Sequence, residues 1–430
     1  MPIPFKRHQF SNGLRLVVHE DSTTPLASCF ICYFVGSRDE NPNQTGLAHL
    51  LEHYMFCGSK NIPEYDVPLD KVGAQNNAYT TDDVTCYYIT LPANNIETAF
   101  WLESDRMLEL AFRNKELEIQ KSVVIEEFKE HFLNKPYGDM WMLFNEAVFE
   151  KHPYQWLPIG KKISHIETVT MNTMKTFYHN YYAPQNAVIA IAGNVRFEEI
   201  VPLVEKWFGT IPKRGHIERN IPQENPQTDP KKVEVTRQVP YDMLLKGWKM
   251  CGRLSPEFYA FDLLSDMLGT GKSSFLYQEF VEKKHLFTDI SASITATYDP
   301  GIFMISGRPA DGVSLQQAND ALDQYLYAFL KNTKIEHALQ KVKNSVESIL
   351  LKNEIKIEDR ASTLALSETF HSVERFQDDK DRYFNVSENQ LVEILKNTIV
   401  STNETTFFYF KFGQFCKNTP LQLHSFDEFS

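Results

Sequence analysis

Long apolar runs are missing from this 430-residue chain, and so is any excess of basic charge. No segment approaches the roughly 18 consecutive apolar residues of a membrane-spanning helix, so no membrane span is expected. With 44 Lys and Arg against 56 Asp and Glu, the net charge is −12. That is the wrong sign for the basic footprint of a nucleic-acid-binding protein. The start, Met1-Pro-Ile-Pro-Phe-Lys-Arg-His8, has neither the apolar core of a secretion signal nor the Arg/Ser-rich stretch of a transit peptide. The expected location is the cytoplasm, or the periplasm if a leader was removed. Cysteine is sparse and scattered, at 29, 32, 57, 86, 251 and 416. Cys29 and Cys32 have Cys-x-x-Cys spacing but fall in Ala27–Val35, an apolar, β-branched and aromatic run that predicts a strand. Residues three apart on a strand point to opposite faces, which does not suit one metal. Two buried thiols in a reducing compartment are the expectation. Gly269-Thr-Gly-Lys-Ser-Ser274 imitates the end of a phosphate-binding loop, but Asp266 stands where that loop needs a glycine, which excludes the nucleotide reading.

What is present is a soluble-type composition, 42% apolar and 23% charged, in a chain too long for one ordinary core. Ser11-Asn12-Gly13 predicts a hairpin turn between Lys6–Phe10 and Leu14–His19. Strands are predicted at 26–35, 75–80, 84–91 and 187–192, and helices at 45–56, 67–72, 96–110, 115–133, 137–149 and 197–208. Residues 212–230 are polar and proline-rich, the best linker in the chain. Beyond it the order of elements repeats without obvious sequence identity. Strands are expected at 232–238, 243–250, 290–296, 302–307 and 405–410, and helices at 256–268, 274–283, 314–331 and 336–352. The predicted fold class is α+β. Two homologous α/β sandwich domains, each a mostly antiparallel sheet packed by helices and related by duplication, occupy 1–212 and 231–430, joined by 213–230.

The chemistry concentrates in His49-Leu50-Leu51-Glu52-His53. Histidines four apart share one helical face and can grip one metal ion. The glutamate beside the second is free to act as a base. The order His-x-x-Glu-His inverts the common zinc-peptidase pattern. A catalytic zinc site needs a third protein ligand and an open position. Candidates lie in Glu116-Leu-Glu-Ile-Gln-Lys-Ser-Val-Val-Ile-Glu-Glu-Phe-Lys-Glu130. There Val123, Val124 and Glu127 share a face with Gln120, and a carboxylate beside buried valines has a reason to be there if a cation faces it. A lone glutamate on a helix is otherwise usually a solvated one.

Together these residues resemble the pitrilysin/insulysin family of inverted-motif zinc peptidases, which includes the mitochondrial processing peptidases. The resemblance runs most of the chain. It is carried by Ser11-Asn-Gly-Leu-Arg-Leu-Val17, Val35-Gly-Ser-Arg-Asp-Glu40, the stretch from Gly46 to Ser59, Asn77-Ala-Tyr-Thr80, Glu103-Ser-Asp-Arg-Met107, Val123-Val-Ile-Glu-Glu127, Tyr182-Ala-Pro184 and Ile191-Ala-Gly-Asn194. The resemblance implies a zinc endopeptidase with one Zn2+ held by His49, His53 and Glu127, Glu52 as base, and Glu126 as the second choice of ligand. It also implies that the strand at Asn77-Ala78-Tyr79 is an exposed edge onto which a peptide substrate adds, with Tyr79 and Phe56 lining a pocket or serving as core. Gln120 stands near the metal where the family often has a second glutamate.

In the second half, Phe275 and Thr288 replace an arginine and a tyrosine that grip substrate in self-sufficient members. The resemblance therefore implies a zinc-bearing subunit whose homologous, non-zinc partner supplies the Arg/Tyr pair. The competing expectation is a non-catalytic assembly subunit of the same fold, as in respiratory complexes, against which the intact set of four site residues argues. A metal-binding module without hydrolysis would leave Glu52 without a role.

Overall fold

The computed structural model describes residues 3–214, 219–332 and 335–412. Cys416, the last part of the predicted second unit and residues 215–218 of the predicted linker lie outside the described residues. Two sheets organise the chain. The first contains β1 (Lys6–Gln9), β2 (Arg15–Glu20), β3 (Leu26–Tyr33), β4 (Gln75–Thr80), β5 (Thr85–Pro92) and β6 (Ala187–Gly193), in the order β1-β2-β6-β3-β5-β4. The second contains β7 (Lys231–Arg237), β8 (Met243–Lys249), β9 (Phe287–Ile294), β10 (Ile302–Pro309) and β11 (Glu404–Lys411), in the order β7-β11-β8-β10-β9.

Each sheet has one parallel pair, β2 with β6 and β7 with β11, and is otherwise antiparallel. Laid over one another, β2-β6-β3-β5-β4 and β7-β11-β8-β10-β9 follow the same path, and β1 is the extra strand of the first. The α+β architecture on two like sheets agrees with the sequence reading.

Strand alternation sorts the side chains of β3 as expected. Cys29 joins the core under one face of the first sheet and Cys32 the core on the other. Both are free and buried, and Cys32 meets Cys86 of β5 across the ladder.

Several helices were not expected from the sequence, among them Met171–Tyr181, Ile357–Phe370 and Glu388–Thr398. Ile357–Phe370 matters most. It lies on the first sheet, with Ala361, Leu364 and Ala365 against Val17, Phe30, Cys32 and Val188. In return, the helix Met140–Val148 lies on the second sheet, with Met140, Phe144 and Val148 against Leu245, Ile302 and Phe407. Each half thus covers a face of the other's sheet. The predicted helix at 115–133 is α-helical over Asn114–Phe128 and widens into a π-helical turn at Lys129–Leu133. That at 274–283 is largely a π-helical turn, Tyr277–Lys283.

Candidate metal centre

The motif occupies a short helix, Leu47–Tyr54. Leu47, Ala48, Leu50, Leu51 and Tyr54 are buried in the first core, so the helix cannot rotate without exposing them. The helix begins at Gly46, whose φ is +87°, and a Cβ there would meet the Ile159 carbonyl oxygen at 2.7 Å. Only glycine fits. The chain leaves the helix through Gly58, at φ +95°.

With the helix held in this way, His49 and His53 turn their Nε2 atoms toward each other at 3.3 Å, with the rings edge to face. Glu127 Oε2, from the helix Asn114–Phe128, lies 3.9 Å from His49 Nε2 and 3.6 Å from His53 Nε2. Three ligand atoms, one per residue, lie within 4.8 Å of one another. Glu126 points elsewhere, exposed and paired with Lys129.

Burial holds His49 down at about 4, with the neighbouring His53 adding to the effect. Burial also lowers His53, against the opposing pull of Glu127 and Gln120. Both imidazoles are therefore neutral near pH 7, with lone pairs free for a cation. Two neutral imidazoles and a carboxylate, partly open to solvent, are the donor set of a catalytic zinc site, and the residues fit that ion.

Glu52 is buried, and its Oε2 accepts a hydrogen bond from Thr80 Oγ1 of β4. Burial pushes its carboxyl up to about 7; the Thr80 hydroxyl pulls it down and the nearby Glu127 pushes it further up. A carboxyl poised near neutrality suits proton transfer in both directions. Thr80 was not singled out from the sequence. The signal was the period of two in β4, which puts Thr80 on the same face as Ala78.

Strand β4 is the edge of the first sheet. Ala78, opposite Tyr87 in the ladder, donates its N–H to Asn77 Oδ1 at 2.8 Å and so presents that group on the open side. Ala78 packs on the metal side of the sheet. Tyr79 lies on the other side, against Phe30 and the face covered by Ile357–Phe370. Phe56 rests against Tyr65 and Tyr87 and over the guanidinium of Arg106. Arg106 is fully buried, clamped by Glu103 and stacked on Tyr65 and Tyr87. Gln120 lies within hydrogen-bonding reach of His53 and Cys57.

Contrary to the expectation of two buried valines beside Glu127, only one is buried. Val124 is buried, but Val123 is 44% exposed, as is Ile119 one turn earlier. The buried face is Leu117, Lys121, Val124 and Phe128, and Glu127 sits at its margin. Apolar neighbours on both sides do not explain the carboxylate; the two histidines opposite it do.

Two family descriptions match the chain, insulinase (peptidase family M16) over residues 15–151 and the peptidase M16 inactive domain over 168–346. The chain belongs to the M16 peptidase family. Zinc protease PqqE of Helicobacter pylori is 27% identical over 405 residues, spanning 92% of this chain and 90% of that protein. The uncharacterized zinc protease YmxG of Bacillus subtilis is 26% identical over 347 residues, 79% of this chain and 83% of that one. A protease from Helicobacter pylori superposes with a TM-score of 0.89 at 25% identity, covering 95% of this chain and all of that one. A peptidase M16 inactive domain from Pseudomonas fluorescens shares the fold at TM-score 0.84 and 17% identity, over 94% and 98% of the two chains. Among the described residues, no helix is long and apolar enough to cross a membrane.

Proposed function

We propose that this chain is a zinc-dependent endopeptidase acting on peptides or unfolded segments, and that a homologous chain completes its active site. The observation that carries the reading is the meeting of His49, His53 and Glu127 with Glu52 one residue from the second histidine. Zinc held there would supply an acidified water and a Lewis acid for the scissile carbonyl. Glu52 accepts a proton from the attacking water and hands it to the departing amine. The open edge at Asn77, Ala78 and Tyr79 receives the substrate as an added strand, with its main chain doing the pairing. For that, the Asn77 side chain releases the Ala78 N–H. Gln120 steadies His53. The metal site lies in the unit 1–212, and the unit 231–430 follows the linker 213–230.

The second chain enters because of Phe275 and Thr288. Phe275 packs into the second core against Phe329, with ring centroids 5.0 Å apart, and Thr288 stands exposed on β9. Neither can grip a substrate backbone as arginine and tyrosine do. The partner is a homologue without the zinc motif that carries this pair.

The test is peptide cleavage by this chain with and without such a homologue, after chelation and after zinc is restored, alongside E52Q. Near-stoichiometric zinc, cleavage that needs both chains, and a folded but inactive E52Q support the reading. Strong cleavage by the isolated chain would remove the partner from it. A zinc-free, inactive pair would favour the assembly-subunit alternative, which draws on the inactive-domain description of residues 168–346.

A further inference from the structure

The motif helix begins without a side chain of its own to cap it. Its first residue is preceded by Gly46, which makes no capping bond and cannot be replaced by a residue that would. The first-turn N–H groups, which have no partners within a helix, instead reach Glu40, six residues before Gly46. Glu40 Oε2 accepts from Gly46 N–H at 2.9 Å, and Oε1 from Ala48 N–H at 2.8 Å. The indole N–H of the buried Trp156 donates to Oε2 from the other side, at 3.1 Å. Glu40 is itself buried. Burial outweighs the pull of the Ala48, Gly46 and Trp156 donors and leaves its carboxyl at about 8.

A second observation ties this cap to the metal site. Metal-ligating histidines normally fix their orientation by donating the other ring N–H to an acceptor. His49 Nδ1 is buried with no hydrogen-bond partner among the described residues. Among the described residues no acceptor grips the far side of this ring, so its aim depends on where the helix backbone holds it. His49 is adjacent to Ala48, one of the residues that Glu40 binds.

We infer that Glu40 is a positioning residue of the metal centre, fixing the first turn of the motif helix and thereby the aim of His49. This rests on the zinc reading above. It assigns to a loop carboxylate the outer support that the His49 ring lacks.

The test compares wild type, E40Q and W156F. E40Q keeps the shape of the side chain but turns one accepting oxygen into an amide nitrogen that cannot take a backbone N–H. W156F removes a donor to the same carboxylate and leaves a cavity in the core, without freeing the helix end. For each, the zinc dissociation constant is measured by chelator competition, the visible spectrum of the cobalt(II) form is recorded, and the thermal midpoint is taken. E40Q should weaken zinc by about tenfold or more and shift the cobalt spectrum, whereas W156F should leave zinc affinity within about twofold while losing stability. If E40Q is recovered unfolded, E40D, which shortens the side chain by one methylene, takes its place with the same outcomes. Wild-type zinc affinity in E40Q, or zinc affinity that falls in step with the thermal midpoint in both variants, overturns the inference. A wild-type chain that binds no zinc fails the functional reading instead, and the two failures are separable.

Discussion

Thr80 Oγ1 donates a hydrogen bond to Glu52 Oε2, joining the edge strand β4 to the proposed base. This donor favours the charged form of the carboxylate. Thr80→Val removes it, so the Glu52 pKa rises. The base form is then lost at a higher pH, and the acid limb of the kcat/KM profile moves toward alkaline pH. A hydrogen bond to a charged group is worth about 1.5–3 kcal/mol, so kcat/KM at neutral pH should fall by roughly tenfold or more. An unmoved acid limb would mean that Thr80 does not tune Glu52.

The neighbouring glutamates 126 and 127 should part company in metal binding. Glu127 faces both histidines, whereas Glu126 is 72% exposed in its ion pair with Lys129. Glu127→Gln should weaken zinc by more than the roughly 10–100-fold that changes outside the ligand set cost. Glu126→Gln should change neither zinc affinity nor stability measurably, since exposed ion pairs contribute about 0–1 kcal/mol. Calorimetric titration of the two variants with zinc checks both statements.

Glu103 and Arg106 form a buried ion pair beneath Phe56, each side chain only 1% exposed. Tyr65 adds its hydroxyl to the same carboxylate at 2.7 Å. Removing one partner leaves an unpaired charge in the core, so Glu103→Gln should cost about 3–5 kcal/mol in chemical denaturation. Loss of both charges in a Glu103→Gln, Arg106→Met double variant should cost less than the sum of the single changes.

Glu224 anchors the segment between the halves. It accepts the N–H groups of Glu150 and His152 at 2.9 and 2.7 Å and pairs with Lys249 Nζ at 2.9 Å. Burial pushes its carboxyl up, but the His152 N–H and Lys249 outweigh burial and bring it from 4.5 down to about 2. A depressed folded-state value means stability that is present above the unfolded value and lost as pH falls through the folded one. Glu224→Gln should therefore lower the thermal midpoint at pH 7, and the gap to wild type should close between pH 4.5 and about 2. A gap that persists at the acid end would contradict this.

Much of the site was legible because its chemistry is local. The i, i+4 histidines and intervening glutamate specify one helix face, and alternation in 75–80 specifies a strand. For the candidate third ligand the helix pattern left several carboxylates open; resemblance selected Glu127, and the structure places it opposite the two histidines. Glu40 was invisible as a partner of the motif, since a capping carboxylate six residues upstream carries no periodic signal. The helix Ile357–Phe370 was missed for a related reason. Its buried positions include Ala361, Ala365, Ser367 and Thr369, small or polar residues that fit closely against a sheet and leave no strong apolar stripe.

That exchange of helices bears on how the chain can be divided. A fragment ending in the linker would carry the metal ligands and β1 to β6, yet leave Val17, Phe30, Cys32, Val188 and Ala190 bare where Ile357–Phe370 had lain. The complementary fragment would bare Leu245, Ile302 and Phe407. Exposed apolar sheet faces of this kind drive self-association rather than independent folding. For expression, truncation and evolutionary shuffling alike, the smallest self-sufficient piece is the two halves together, folded as one clasp.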